Sequence, residues 1–261
     1  MTRCIMIGGI GYITAAAGFL AGNVFFLVAG LVERRASGRR GANRPATQAA
    51  SPLRGGRRLY GTILGFTAGL LLAFVCLSML PEVFAESGLA AGVAGLAAGM
   101  AAAFFLEGRT EKMERWKRAG LLMALGVSLH NIPEGMALGA MLSTDRALGV
   151  SMAVIISMHC FPEALSVLTP MRLGGLSGAK TLLYSLVLAL PMCLGAFAGG
   201  LAGGVWPGFA SLCMSFAGGV MLYMACGDIL PESKDVWRGR LSTIGAMAGF
   251  LAGTALTGRL M

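Results

Sequence analysis

Apolar residues fill eight long runs along the chain, at about 5–32, 60–81, 88–106, 119–142, 147–169, 178–202, 208–230 and 241–258. Short polar clusters separate them. A helix needs roughly 20 apolar residues to cross a bilayer, with a range of about 17–25. The pattern predicts an all-α membrane protein of eight transmembrane helices, folded as a single domain over residues 1–261. The first run is too long for the core of a signal peptide and lacks a basic start followed by a clear cleavage site, so it is read as a helix.

The polar clusters are not equivalent. The segment 33–59 holds eight basic residues: Arg34, Arg35, Arg39, Arg40, Arg44, Arg54, Arg57 and Arg58. Segment 107–118 holds five, and the connections after the fifth and seventh runs add Arg172 and Lys180, then Lys234, Arg238 and Arg240. Only Arg3, Arg146 and Arg259 fall on the other side. Cytoplasmic loops of membrane proteins carry such an excess, so both termini are expected outside and 33–59 becomes an Arg-rich cytoplasmic linker. It reads as a flexible topology determinant, with anionic lipid binding as the lesser alternative. The net charge of +9 is therefore spent on orientation and does not point to nucleic acid.

Composition agrees. Hydrophobic residues make up 56% of the chain and charged residues 13%, against about 25% charged in soluble domains. Forty glycines suit close helix packing in lipid. The six cysteines, Cys4, Cys76, Cys160, Cys193, Cys213 and Cys226, form no C-x-x-C pair, which gives no disulfide framework or zinc finger, and most read as small buried hydrophobes. The methionines read as packing residues for the same reason.

The chain also repeats itself. Phe66–Glu82 aligns with Phe216–Glu232 without a gap, and both end in Leu-Pro-Glu. The two copies lie on the second and seventh helices, which run in opposite directions. Such an inverted repeat is typical of secondary transporters, whose substrate site lies near the midplane. Glycines at four-residue spacing, Gly88, Gly92, Gly95 and Gly99, then Gly245, Gly249 and Gly253, predict close approach of the third and eighth helices to their neighbours. The organisation is three helices, a central pair over 119–169, and three helices again.

The central pair carries the chemistry. Both histidines sit in one short pattern, His130-Asn131-Ile132-Pro133-Glu134 and His159-Cys160-Phe161-Pro162-Glu163. Ionisable groups inside a membrane are costly and mark function by default. Residues four apart share a helix face, so His130 with Glu134, and His159 with Glu163, can each hold one ion. Pro133 and Pro162 leave the carbonyls of Leu129 and Met158 without their usual helical donor. Two neutral histidines and two glutamates balance one divalent cation. Imidazole and carboxylate suit Zn²⁺ and tolerate Fe²⁺, Mn²⁺ or Cd²⁺, and Cys160 offers a soft ligand that favours Zn²⁺ or Cd²⁺.

These two motifs resemble the signature of the ZIP (Zrt/Irt-like protein) family of divalent metal transporters, and HNIPEGMALG at 130–139 is similar to the fourth helix of bacterial, GufA-like members. The resemblance implies metal-binding positions at His130, Asn131, Glu134, His159, Cys160 and Glu163. It also implies import of zinc and related ions into the cytoplasm, a homodimer, and an elevator-like movement of the central helices against the outer ones. Asp228 lies at an acidic pathway position by the same resemblance, with Ser78 as its repeat mate.

Three departures bear on these expectations. Many members have Asn or Asp at the position of Cys160. Leu190 stands before Pro191 where related bacterial members place a glutamate, which favours one principal ion over two. Residues 107–118 contain no histidine, so a loop-based metal sensor is not expected.

The function expected is therefore Zn²⁺ transport across a cell membrane, in a bacterial inner membrane on composition. The alternative is an intramembrane metal-dependent hydrolase, which the lack of H-E-x-x-H disfavours.

Overall fold

The computed structural model describes residues 1–38, 56–108, 115–173, 175–202 and 208–257, and among them the regular structure is helical throughout. In chain order the helices are α1 (Thr2–Gly38), α2 (Gly56–Phe74), α3 (Leu80–Gly108), α4 (Arg115–Thr144), α5 (Arg146–Leu173), α6 (Gly178–Leu188), α7 (Leu190–Ala202), α8 (Phe209–Tyr223), α9 (Leu230–Val236) and α10 (Arg240–Thr257). Among the described residues, five stretches are long and apolar enough to cross a membrane: Thr2–Val28, Arg57–Gly108, Arg146–Arg172, Gly178–Ala202 and Phe209–Val236. The second joins two expected spans, and Gly88 makes the bend between them with a φ of 77° that only glycine adopts without strain. Gly88 is thus a turn residue, not the packing residue its spacing suggested.

Helices run further into the polar connections than hydropathy predicts. Residues 33–38 and 56–59 of the expected flexible linker are helical, as are Glu107, Gly108 and Arg115–Arg118. Backbone hydrogen bonding extends a helix past its apolar stretch, and arginine is a good helix former. Arg39, Arg40, Arg44, Arg54, Arg109, Lys112 and Arg259 lie outside the described residues.

The repeat has a backbone counterpart. Between α2 and α3, Val75–Met79 forms a π turn, and between α8 and α9, Met224–Ile229 forms another. Each closes with a bond to the fifth residue back: the Leu80 N–H donates to the Val75 carbonyl, and the Leu230 N–H to the Ala225 carbonyl. Pro81 and Pro231 follow at once. A proline has no N–H and its ring presses on the carbonyl four residues back, so the ladder slips by one residue ahead of it. The shared Leu-Pro-Glu therefore encodes a shared defect.

Glycine contacts divide the helices into two bundles. In one, α4 and α7 interlock backbone to backbone: a Cβ on Gly139 would lie 2.1 Å from the Ala196 carbonyl oxygen, and one on Gly199 would lie 1.9 Å from that of Met136. Gly18 seats α1 against the Cβ and backbone of Cys160 on α5, and Gly22 seats it against the Ala164 Cβ. In the other bundle, α2 meets α10 through Gly69 and Gly249, and α3 meets α8 through Gly99 and Gly219. Between the bundles, α4 faces α8 and α2 faces α5. Among the described residues only Gly126 forms a tight glycine contact across that boundary, and it meets the side chain of Met224 rather than a backbone.

Candidate metal site

The site forms where α4 and α5 cross, inside the first bundle and against the second. His130, Asn131, Glu134, His159, Cys160 and Glu163 are all buried, none more than 3% exposed. Both helices continue through their internal prolines. The closest polar contacts do not follow the pairing within one helix that the spacing suggests. They cross over: His130 Nε2 lies 2.9 Å from Glu163 Oε1, and His159 Nε2 lies 2.8 Å from Glu134 Oε1. The pairing within α5 is longer, with His159 Nε2 3.8 Å from Glu163 Oε1. Side chains on one face of a single helix run parallel, whereas two crossing helices aim theirs at each other.

Several of these groups lack what a buried polar atom requires. His130 Nδ1 donates to the Gly126 carbonyl at 2.9 Å. A neutral ring then presents its Nε2 lone pair to a carboxylate oxygen, a contact that attracts only when a cation is shared between them. Both nitrogens of His159, both oxygens of Glu134, Glu163 Oε2 and Asn131 Oδ1 have no hydrogen-bond partner. The His159–Glu134 approach is close in distance without forming a hydrogen bond. An unsatisfied buried polar group costs about 1–3 kcal/mol, so such a cluster marks a place for something else. Ligand atoms of His159, Cys160 and Glu163 lie within 4.8 Å of one another, close enough for one ion. Imidazole, thiol and carboxylate are the donor set of a borderline or soft divalent metal.

Neighbouring elements hold this cluster in place, and sequence reasoning passed over them. The Phe74 ring packs on His159 with centroids 4.5 Å apart. In the other repeat, Met224 covers Gly126, one turn before His130. Phe74 and Met224 are repeat mates, so the two repeats close the site from corresponding positions. Asn131 Nδ2 donates to the Leu188 carbonyl at 3.4 Å, at the break between α6 and α7. Pro191 causes that break by withholding a donor from the carbonyl of Val187. The repeat alignment and the Pro191 position were the available signals for these supports.

Ser78 and Asp228 sit at matching places in the two π turns and are half-buried. Tyr223, one turn before Asp228, hydrogen-bonds the Glu107 carboxylate. Leu190 is 47% exposed, so its position points away from the buried cluster.

Residues 106–260 match the family model described as ZIP Zinc transporter. The zinc transporter GufA of Myxococcus xanthus is 34% identical over 143 residues, which is 54% of this chain and 56% of that protein. The zinc transporter ZupT of Escherichia coli is 27% identical over 210 residues, which is 74% of this chain and 82% of that protein. The match to GufA thus spans little more than half of its length, whereas the match to ZupT spans most. The matched region contains both halves of the α4–α5 cluster, and the chain belongs to the ZIP zinc transporter family.

Proposed function

We propose that this protein carries divalent metal ions, chiefly Zn²⁺, across a cell membrane through the His/Glu cluster between α4 and α5. The observation that carries this reading is the set of unsatisfied donor atoms on His159, Glu134 and Glu163, buried at a helix crossing in a chain of this family. One ion would take His130, Glu134, His159 and Glu163, with Cys160 and Asn131 completing its surroundings. Two carboxylates and two neutral imidazoles cancel its charge. Cd²⁺, Fe²⁺ and Mn²⁺ are the further candidate ions for such donors.

The finer reading has eight spans, with both ends of the chain outside and the Arg-rich connections in the cytoplasm of a bacterial cell. The ion enters from outside, binds at the midplane and leaves on the basic side. Asp228 and Ser78 relay it along the wall of the second bundle. The side-chain contacts between the bundles suit a movement of the first against the second, in a homodimer anchored by the second.

Metal-competition uptake in proteoliposomes tests this, with wild type beside Glu134→Ala. Saturable Zn²⁺ entry is expected, falling at least about tenfold in the variant, since removing one ligand of a buried site costs more than ~1.4 kcal/mol of binding. Stoichiometric metal binding without any entry would sink the transport reading and bring back the hydrolase.

A further inference from the structure

A second group of residues with potential metal-ligating atoms lines a recess outside the site just described. Near the Gly88 bend, the α4–α5 connection and the start of α8, a small recess opens between the two bundles, with an enclosed volume of about 10 Å³. Met79 and Met214 line it from one bundle, and Met141 and Met152 from the other. They come from four different elements: the first π turn, α8, α4 and α5. All four are buried. Glu82 and Glu86, one turn apart on α3 and exposed, complete its polar rim. Half of the eight lining residues are methionine, in a chain with 17 methionines among 261 residues, so the enrichment is well beyond composition.

Position strengthens the case. Met141 follows Glu134 by seven residues, and Met152 precedes His159 by seven. Seven residues make two helical turns, about 10 Å, and return a side chain to the same face. The recess is thus the next chamber along the face of α4 and α5 that holds the His/Glu cluster. Its donors have a different character. A thioether is uncharged and soft; such sulfur ligands select Cu⁺ over the harder divalent ions that carboxylates prefer. Glu82 and Glu86 are exposed at the rim, so the buried ligand set itself is neutral and suits an ion of low charge.

We propose that this recess binds a soft monovalent cation, Cu⁺ or its analogue Ag⁺, through the thioethers of Met79, Met141, Met152 and Met214, with Glu82 and Glu86 drawing it in. Because the ligands come from both bundles, a bound ion staples them together. The site itself stands on packing alone; only the consequence of the staple, a block on zinc uptake, rests on the transport reading.

The test is a titration of the full chain in detergent, labelled with ¹³C at the methionine methyl groups, using Ag⁺ alone. Methionine signals report thioether ligation whatever the cysteines do. The methyls of Met79, Met141, Met152 and Met214 are expected to shift together, and the double variant Met141→Leu with Met214→Leu to weaken Ag⁺ binding at least about tenfold. Leucine nearly conserves the volume of methionine, so the fold is retained. Shifts confined to other methionines, or unchanged affinity in the double variant, would overturn the site. In proteoliposomes, Ag⁺ inhibition of Zn²⁺ entry that the double variant relieves supports the staple. Ag⁺ bound without inhibition overturns the staple. Absence of Zn²⁺ entry without Ag⁺ would count against the transport reading and leave the titration result intact.

Discussion

The seams inside each bundle and the boundary between the bundles are built on different physics. Within a bundle, glycines bring backbones into contact: Gly199 against Met136, Gly249 against Phe66. A backbone cannot yield, so these seams are rigid. Across the boundary, contacts run through Met224 and through Phe74 on His159. Methionine is unbranched and adaptable, so this surface can repack. The difference locates stiffness and compliance within one apolar protein, and it places the buried His/Glu cluster on a stiff bundle beside a compliant boundary.

The sharpest break of this comparison is a methyl group in a seam. Gly199→Ala and Gly249→Ala each put a Cβ 1.9 Å from a carbonyl oxygen. Each is expected to cost about 3 kcal/mol, the upper end for overpacking, read as a fall in melting temperature in detergent. Gly9→Ala is the control, because a Cβ there meets nothing within 4 Å. A control that destabilises as much would mean the seams are not special.

The next effect belongs to the site. Cys160→Ser replaces the soft donor with a hard one of similar size. Cd²⁺ uptake relative to Zn²⁺ is expected to fall about tenfold, because thiolate favours the softer ion. An unchanged ratio would make Cys160 a packing residue held against Gly18.

Acid should weaken uptake as well. A protonated imidazole has no lone pair for a metal, so protons compete with the ion at His130 and His159. Uptake at about pH 5.5 is expected to be several-fold below that at about pH 7.5, across the range in which histidine takes up protons. Equal rates would count against histidine ligation.

The smallest expected effect on stability is at the boundary. Gly126→Ala meets only the end of the Met224 side chain, at 2.5 Å from its sulfur. The thioether can swing aside, so the cost should be about 1 kcal/mol or less. If the boundary moves during transport, the Zn²⁺ uptake rate changes while the melting temperature scarcely does. A loss as large as that of Gly199→Ala would show the boundary to be another rigid seam.

Much of this was legible in the residues because a membrane constrains a sequence tightly. Hydrophobic length marked the helices, and the rarity of charge in apolar runs singled out His130, Glu134, His159 and Glu163. The Leu-Pro-Glu repeat announced two equivalent places. What it did there was not legible, since the slip to a π turn at Val75–Met79 and Met224–Ile229 depends on how each helix accommodates its proline. Gly88 was misassigned because a glycine at packing spacing and a glycine at a bend read alike. The role of Phe74 was hidden by its ordinary apolar surroundings.

The sequence alone determined the kind of protein and the chemical identity of the groups in its buried cluster, since composition, charge placement and residue type are local properties of the chain. Only the tertiary structure decided how those groups pair. Spacing of four offered His130 to Glu134, but the crossing of α4 and α5 turned His130 to Glu163 and His159 to Glu134. It also sorted the glycines into rigid seams and gathered four distant methionines around one recess. Those outcomes depend on the angle and register between helices, which packing fixes and no single helix contains.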